Sequence, residues 1–158
     1  MRHVHAPEPF TGAGPSLFLA GGITGCPDWQ AQAAAMLAGH DGLTVLNPRR
    51  PVYADGEHVA VEQITWEHEQ LHRAGVVLFW FAGGGSVQPI TLYELGVHAT
   101  RGVPLVVGAD RDYPRRLDVR VQLALARPEL TLHDSLAETV AVAGATAMAT
   151  AGKDLRLR

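Results

Sequence analysis

The sequence predicts an α/β fold, a parallel sheet of five strands with helices on both faces. Two patterns predict it. Apolar strand-like runs and helical segments alternate five times along the chain, which specifies right-handed crossovers between parallel strands. The runs are short and apolar throughout, as in Gly75-Val-Val-Leu-Phe-Trp-Phe81, the profile of strands buried on both faces. With 158 residues, the chain suits one domain that removes roughly two-thirds of its unfolded surface from water.

Residues 1–14 are rich in Pro, Gly and His and lack periodicity, so an extended or mobile leader is expected. The domain is expected to span residues 15–151, with a solvated tail at 152–158. The first strand covers residues 16–21 and ends at Gly21-Gly22, a backbone-tight turn. Asp28 can cap a helix that starts at Trp29 and continues through Leu37, because its carboxylate accepts from the free donors of the first turn. Residues 43–46 form the second strand, and Asn47-Pro-Arg-Arg-Pro51 carries the chain off its carboxyl end, since neither Pro suits a central strand.

A polar, irregular stretch begins at Tyr53. A helix over residues 61–74 follows, with Ile64, Leu71 and Ala74 as core positions. The third strand, residues 75–81, leads into Gly83-Gly-Gly85 and a helix opening near Pro89 and ending at Gly102. Residues 103–108 are the fourth strand, 112–126 a helix, and 130–132 a short edge strand. Asp134-Ser135 caps an Ala-rich helix running to about residue 150.

Composition narrows the partners. A formal charge of −3 leaves no electrostatic footprint for nucleic acid or an anionic membrane, so small molecules or copies of the same chain are expected. Cys26 is the lone cysteine, no run approaches the length of a membrane span, and Pro7 and Pro9 interrupt any apolar signal core. A cytosolic, reduced protein is expected. His68 and His72, four apart on one helix, are the one plausible metal pair among eight His, and they match no ligand pattern. Gly83-Gly-Gly85 is not followed by the Lys-Ser/Thr of a P-loop, so neither metal nor cofactor is expected.

The stretch from Trp80 to Gly96 carries the chemistry. It joins the carboxyl end of an apolar strand to a helix, the place where open α/β sheets gather ligands, and it puts Glu94 in that helix's first turns. A Glu there can simply favour the helix dipole or can react. Asp28 reads as an N-cap that could also face the ligand edge. Asn47 and Arg49 read as turn residues or, for the Arg, as a holder of phosphate or ribose. Trp80 and Phe81 read as core or as a platform for a planar base, and Trp66 as core. Glu67 and Glu69 lie on an amphipathic helix where solvated carboxylates are common.

Several pieces in the same order resemble the nucleoside 2-deoxyribosyltransferases and their relatives: Phe18-Leu-Ala-Gly-Gly-Ile23, Asn47-Pro48, Ile64-Thr-Trp-Glu67, and Pro89-Ile-Thr-Leu-Tyr-Glu-Leu-Gly96. The resemblance covers about residues 16–110. It implies a flavodoxin-like fold with strand order 2-1-3-4-5, a homo-oligomer, and a small-molecule nucleoside or nucleotide as substrate. It implies Glu94 as nucleophile, Glu67 as the acidic residue near the base, and Gly21, Gln88 and Pro89 among the substrate-binding positions. Many members carry Asp where this chain has Gln88, an amide that donates as well as accepts.

A carboxylate beside an anomeric carbon can stabilise oxocarbenium character or form a glycosyl ester. Cleavage of an N-glycosidic bond is therefore expected, with the sugar passing to another base or to water. Two alternatives stand beside it. Gly83-Gly-Gly85 and Thr91-Leu-Tyr-Glu94 are similar to the two halves of a phosphoribohydrolase loop, with five residues intervening; a non-catalytic nucleotide-binding module would keep the same pocket.

Overall fold

In the computed structural model, which describes residues 1–52 and 55–154, the chain runs β1 (Arg2–His5), β2 (Ser16–Gly21), α1 (Trp29–Met36), β3 (Thr44–Asn47), α2 (Glu57–Arg73), β4 (Val76–Phe81), α3 (Pro89–Thr100), β5 (Leu105–Ala109), α4 (Arg116–Ala126), β6 (Leu132–His133) and α5 (Leu136–Asp154). All strands pair in parallel, in the order β1-β3-β2-β4-β5-β6. The five expected strands keep their 2-1-3-4-5 order, and the sheet has six strands because β1 adds to its edge. Among the described residues, no helix is long and apolar enough to cross a membrane.

Alternation along the central strands builds two core layers. Leu17, Leu19, Val76, Leu78, Trp80 and Val106 face Trp29, Ala33 and Leu37 around α1 and Val140, Ala143 and Ala147 of α5. Phe18, Ala20, Val77, Phe79, Phe81 and Val107 face Trp66 and Leu71 of α2, Leu95 and Ala99 of α3, and Val119 and Leu123 of α4. Every residue of β4 is buried, as a central strand between two helical layers requires. Gly108 lets α5 approach β5: a Cβ there would collide with the Thr139 hydroxyl and come within 2.9 Å of the Trp80 ring.

Two expectations change. The expected leader at 1–14 is tied to the sheet as far as Phe10: Val4 pairs in register with Leu46, Ala6 N–H donates to the Asn47 carbonyl at 3.2 Å, and Val4, Ala6 and Phe10 are buried, while residues 11–14 are exposed. Beyond the strand, the Trp66 indole donates to the Glu8 carbonyl at 2.6 Å and Arg73 to that of Phe10 at 3.3 Å. Helix α2 starts at Glu57, a turn early, and buries Trp66, Gln70 and Leu71, leaving Ile64 64% exposed. Residues 152–154 of the expected tail close α5, while 155–158, and positions 53 and 54 of the polar stretch, lie outside the described residues.

Replacing Phe10 with Ala is expected to cost about 3–5 kcal/mol, the range for emptying a buried aromatic site. Urea denaturation measures it, and an unchanged midpoint would mean that residues 1–14 do not belong to the core.

Candidate active site

Helix α3 opens with Pro89 at its first position, where the missing N–H leaves no bond unmade and the fixed φ is already helical. Glu94 follows in the second turn and is half-buried, as is Glu67 from the middle of α2. Burial first, and then the negative charge of Glu67, push the Glu94 carboxyl up to about 8. Burial also raises Glu67, but a hydrogen bond from Gln63 and the charge of Arg50 oppose it. Unequal surroundings thus bear on two interacting carboxylates: burial and the Glu67 charge both favour a proton on Glu94, whereas a donor and a guanidinium oppose the effect of burial on Glu67. One turn on, the His98 ring donates from Nδ1 to the Glu94 carbonyl at 2.9 Å. Burial lowers its pKa, and this neutral imidazole anchors the backbone under Glu94.

A polar chain supports Glu67 from behind. Gln63 Nε2 donates to Glu67 Oε1 at 2.6 Å and to the Pro48 carbonyl at 2.7 Å. Its Oε1 accepts from Arg50 Nε at 2.5 Å, and Arg50 in turn pairs with Glu62 at 2.7 Å. Sequence reading missed Gln63 and Arg50. The signal for Gln63 is its place four residues before Glu67 on one helix, which puts both on one face.

The loops after β2 and β3 are knitted by a second web. Asp28 Oδ1 accepts from Ala31 N–H at 3.0 Å, capping α1, and pairs with Arg49 Nε at 3.3 Å. Arg49 also donates to Gln30 Oε1 at 3.1 Å and to the carbonyls of Ile23 and Pro27 at 3.4 and 3.2 Å. Asn47 Oδ1 accepts from Arg49 N–H at 2.9 Å. Gly22's carbonyl accepts from the Trp29 indole at 3.0 Å and from Gln30 at 3.4 Å.

Gln88 ties this web to β4. It is buried and left-handed, with φ 51°, and its Oε1 accepts from Gly22 N–H at 3.0 Å while its Nε2 donates to the Ala82 carbonyl at 2.8 Å. That backbone is costly for a residue with a side chain, and the two amide bonds hold it. Gly21 completes the junction, since a Cβ there would strike the Trp80 carbonyl and the Trp29 ring.

The expected site residues therefore fall into two groups. Glu94, from α3, and Glu67, from α2, lie close enough for the Glu67 charge to act on Glu94. Asp28, Asn47 and Arg49 line a cavity of about 490 Å³ between α1, the β1 edge and the loop after β3, together with Arg50, which links the groups. Trp80 and Phe81 are 4% and 0% exposed on opposite core layers, with Phe81 against Tyr113 at 4.9 Å; both rings are spent on packing rather than offered to a base. His68 and His72 have ring centroids 4.2 Å apart, and His72 Nδ1 bonds the His68 carbonyl at 2.6 Å. Among the described residues, no group of three His, Cys, Asp or Glu is placed to hold a metal ion.

The family model described as "Nucleoside 2-deoxyribosyltransferase like" matches residues 14–113, a span holding every residue of both groups. No curated protein matches the chain.

The raised Glu94 pKa makes a stability prediction. Between its ordinary value of 4.5 and about 8, the native state keeps a proton that the unfolded state has lost, so stability falls as pH rises through that window. Glu94→Gln is expected to flatten this decline, with Glu67 contributing the remaining slope, and to raise Tm at pH 8 by a few °C; scanning calorimetry across pH reads it. Gln88→Glu keeps the acceptor for Gly22 but turns the donor facing Ala82 into a second acceptor. It is expected to cost about 1–3 kcal/mol in chemical denaturation.

Proposed function

The chain belongs to the nucleoside 2-deoxyribosyltransferase-like family, and from that premise we propose that it cleaves the N-glycosidic bond of a nucleoside through Glu94 and transfers the sugar. The observation that carries this reading is the pair of half-buried, electrostatically coupled carboxylates, Glu94 and Glu67, whose surroundings differ in what they do to a proton on each. A retaining glycosyl transfer needs one carboxylate as nucleophile and another group to manage the proton on the leaving base.

The steps balance on these two groups. With the sugar over Glu94, the proton held by the pair passes to Glu67. A Glu94 oxygen then bonds the anomeric carbon as the carbon–nitrogen bond breaks, the electron pair stays on the base nitrogen, and Glu67 protonates the base. In the return half, a second base attacks the anomeric carbon, Glu94 leaves as carboxylate, and Glu67 takes the proton from the incoming nitrogen. Water in place of the second base gives hydrolysis, and exclusion of water favours transfer.

Arg49 bears on the phosphoribohydrolase alternative. That reaction requires a cation for the substrate phosphate, and Arg49 is committed to Asp28, Gln30, Ile23 and Pro27, which favours an unphosphorylated nucleoside. A homo-oligomer belongs to the same reading. Ile90 and Tyr93 on α3 and Leu117 and Leu125 on α4 are 62–76% exposed, with individual values of 65%, 70%, 62% and 76%, apolar surface that a second copy would bury.

Incubating the protein with deoxynucleosides, ribonucleosides and their monophosphates, with and without a second free base, tests the proposal by chromatography. Base exchange on nucleosides is expected, and Glu94→Ala is expected to lower kcat at least about a thousand-fold while ligand binding persists. Turnover unchanged in that variant would remove Glu94 from the chemistry.

A further inference from the structure

Gln63 bears no ionisable group, yet it holds one of the two coupled carboxylates, Glu67. Its amide is used at both ends: Nε2 donates to Glu67 Oε1 at 2.6 Å and to the Pro48 carbonyl at 2.7 Å, while Oε1 accepts from Arg50 Nε at 2.5 Å. Because Arg50 can only donate, it fixes which end of the amide points toward Glu67. The end presented is the donor, and a donor stabilises the charged form of a carboxylate. We propose that Gln63 is a positioning residue that relays the Arg50 guanidinium to Glu67 and so sets how a proton is divided between Glu67 and Glu94.

The groups around the pair make the assignment specific. Glu67 meets Gln63 from its own helix and the Arg50 charge from the loop after β3, both favouring its anion. Among the described residues, Glu94, on α3, has no such donor opposing its burial, and it feels the Glu67 charge. The imidazole beside it, His98, is turned to the Glu94 backbone carbonyl rather than the carboxylate. Glu62 holds the far end of Arg50 and keeps the guanidinium aimed along the chain. The resting proton therefore sits on Glu94. Removing the Gln63 donor leaves Glu67 buried without its hydrogen bond and shifts it toward the protonated form; with the Glu67 charge diminished, Glu94 shifts toward its ionised form. For the glycosyl transfer on which this role rests, the clamp stores the proton on the nucleophile until substrate displaces it.

The test follows glutamate carboxyl carbons in ¹³C-glutamate-labelled protein without substrate, assigned from Glu67→Gln and Glu94→Gln spectra. In the unsubstituted protein near pH 6.5, the Glu94 signal is expected at the protonated position and that of Glu67 further toward the ionised one. Gln63→Met, of similar length and without the donor, is expected to move the two signals in opposite directions, Glu67 toward protonated and Glu94 toward ionised. Gln63→Glu keeps an acceptor for Arg50 but offers Glu67 no donor, so the same exchange is expected there. In the kinetic arm, Gln63→Met reaches half of its maximal kcat/KM at a lower pH than the unsubstituted protein. Signals that stay in place in both variants, with the native fold checked by near-UV circular dichroism, would overturn the role. Because the spectra need no turnover, a protein that transfers no sugar would contradict the proposed function while leaving the proton assignment to be decided by the carboxyl signals.

Discussion

The site depends on one side chain that reacts with nothing. Gln88 joins the ends of two adjacent central strands, accepting from Gly22 after β2 and donating to Ala82 after β4. A buried amide with both ends paired stabilises a fold, whereas one with an end unpaired costs more than it returns. The junction therefore holds one arrangement of the two loops. The left-handed backbone at Gln88 then sets Pro89 as the first residue of α3, and the position of Glu94 follows from that start. Strand spacing, amide and helix register form one chain of cause running from the sheet to the carboxylate.

That carboxylate, on α3, feels the charge of Glu67 on α2, and the two have unequal surroundings. Glu67 has a donor and a guanidinium within its network, while Glu94 has burial and a neighbouring charge. Like charges brought together out of water cannot both ionise cheaply. The fold thus holds two carboxylates that cannot both ionise without cost. Holding such tension requires rigid surroundings, and the two helices that carry the pair pack on the same core layer through Trp66, Leu71, Leu95 and Ala99.

Much of the fold was legible because the central strands are apolar throughout and the loops after them are rich in Gly and Pro. Strand β1 was not. Its four residues, Arg-His-Val-His, supply one fully buried apolar side chain, Val4, and lie beside Pro7 and Pro9, so their role comes from the β3 edge they complete rather than from any local pattern. The phase of α2 was misread because Ile64 suggests a core position, while the buried stripe passes through Trp66, Gln70 and Leu71. Glu94 could be read from its place after a strand, and Glu67 from the resemblance. Gln63 and Arg50 could not be read as a relay, since the bond between them joins a loop to a helix thirteen residues on. Arg49 and Gln88 have the residue types of ligand contacts but are consumed by backbone carbonyls and amides, a use that sequence spacing does not display. Trp80 and Phe81 sit where a base platform was expected, yet alternation along a strand buried on both faces sends their rings into separate layers.

The central claim is that Glu94 forms a bond to the sugar. The most direct measurement is peptide mass mapping of the protein quenched after incubation with a 2-fluoro-substituted nucleoside, whose fluorine slows breakdown of a glycosyl ester. One added sugar mass is expected on the peptide containing Glu94. The sugar on a different residue, or turnover of the analogue with no adduct on Glu94, would contradict it.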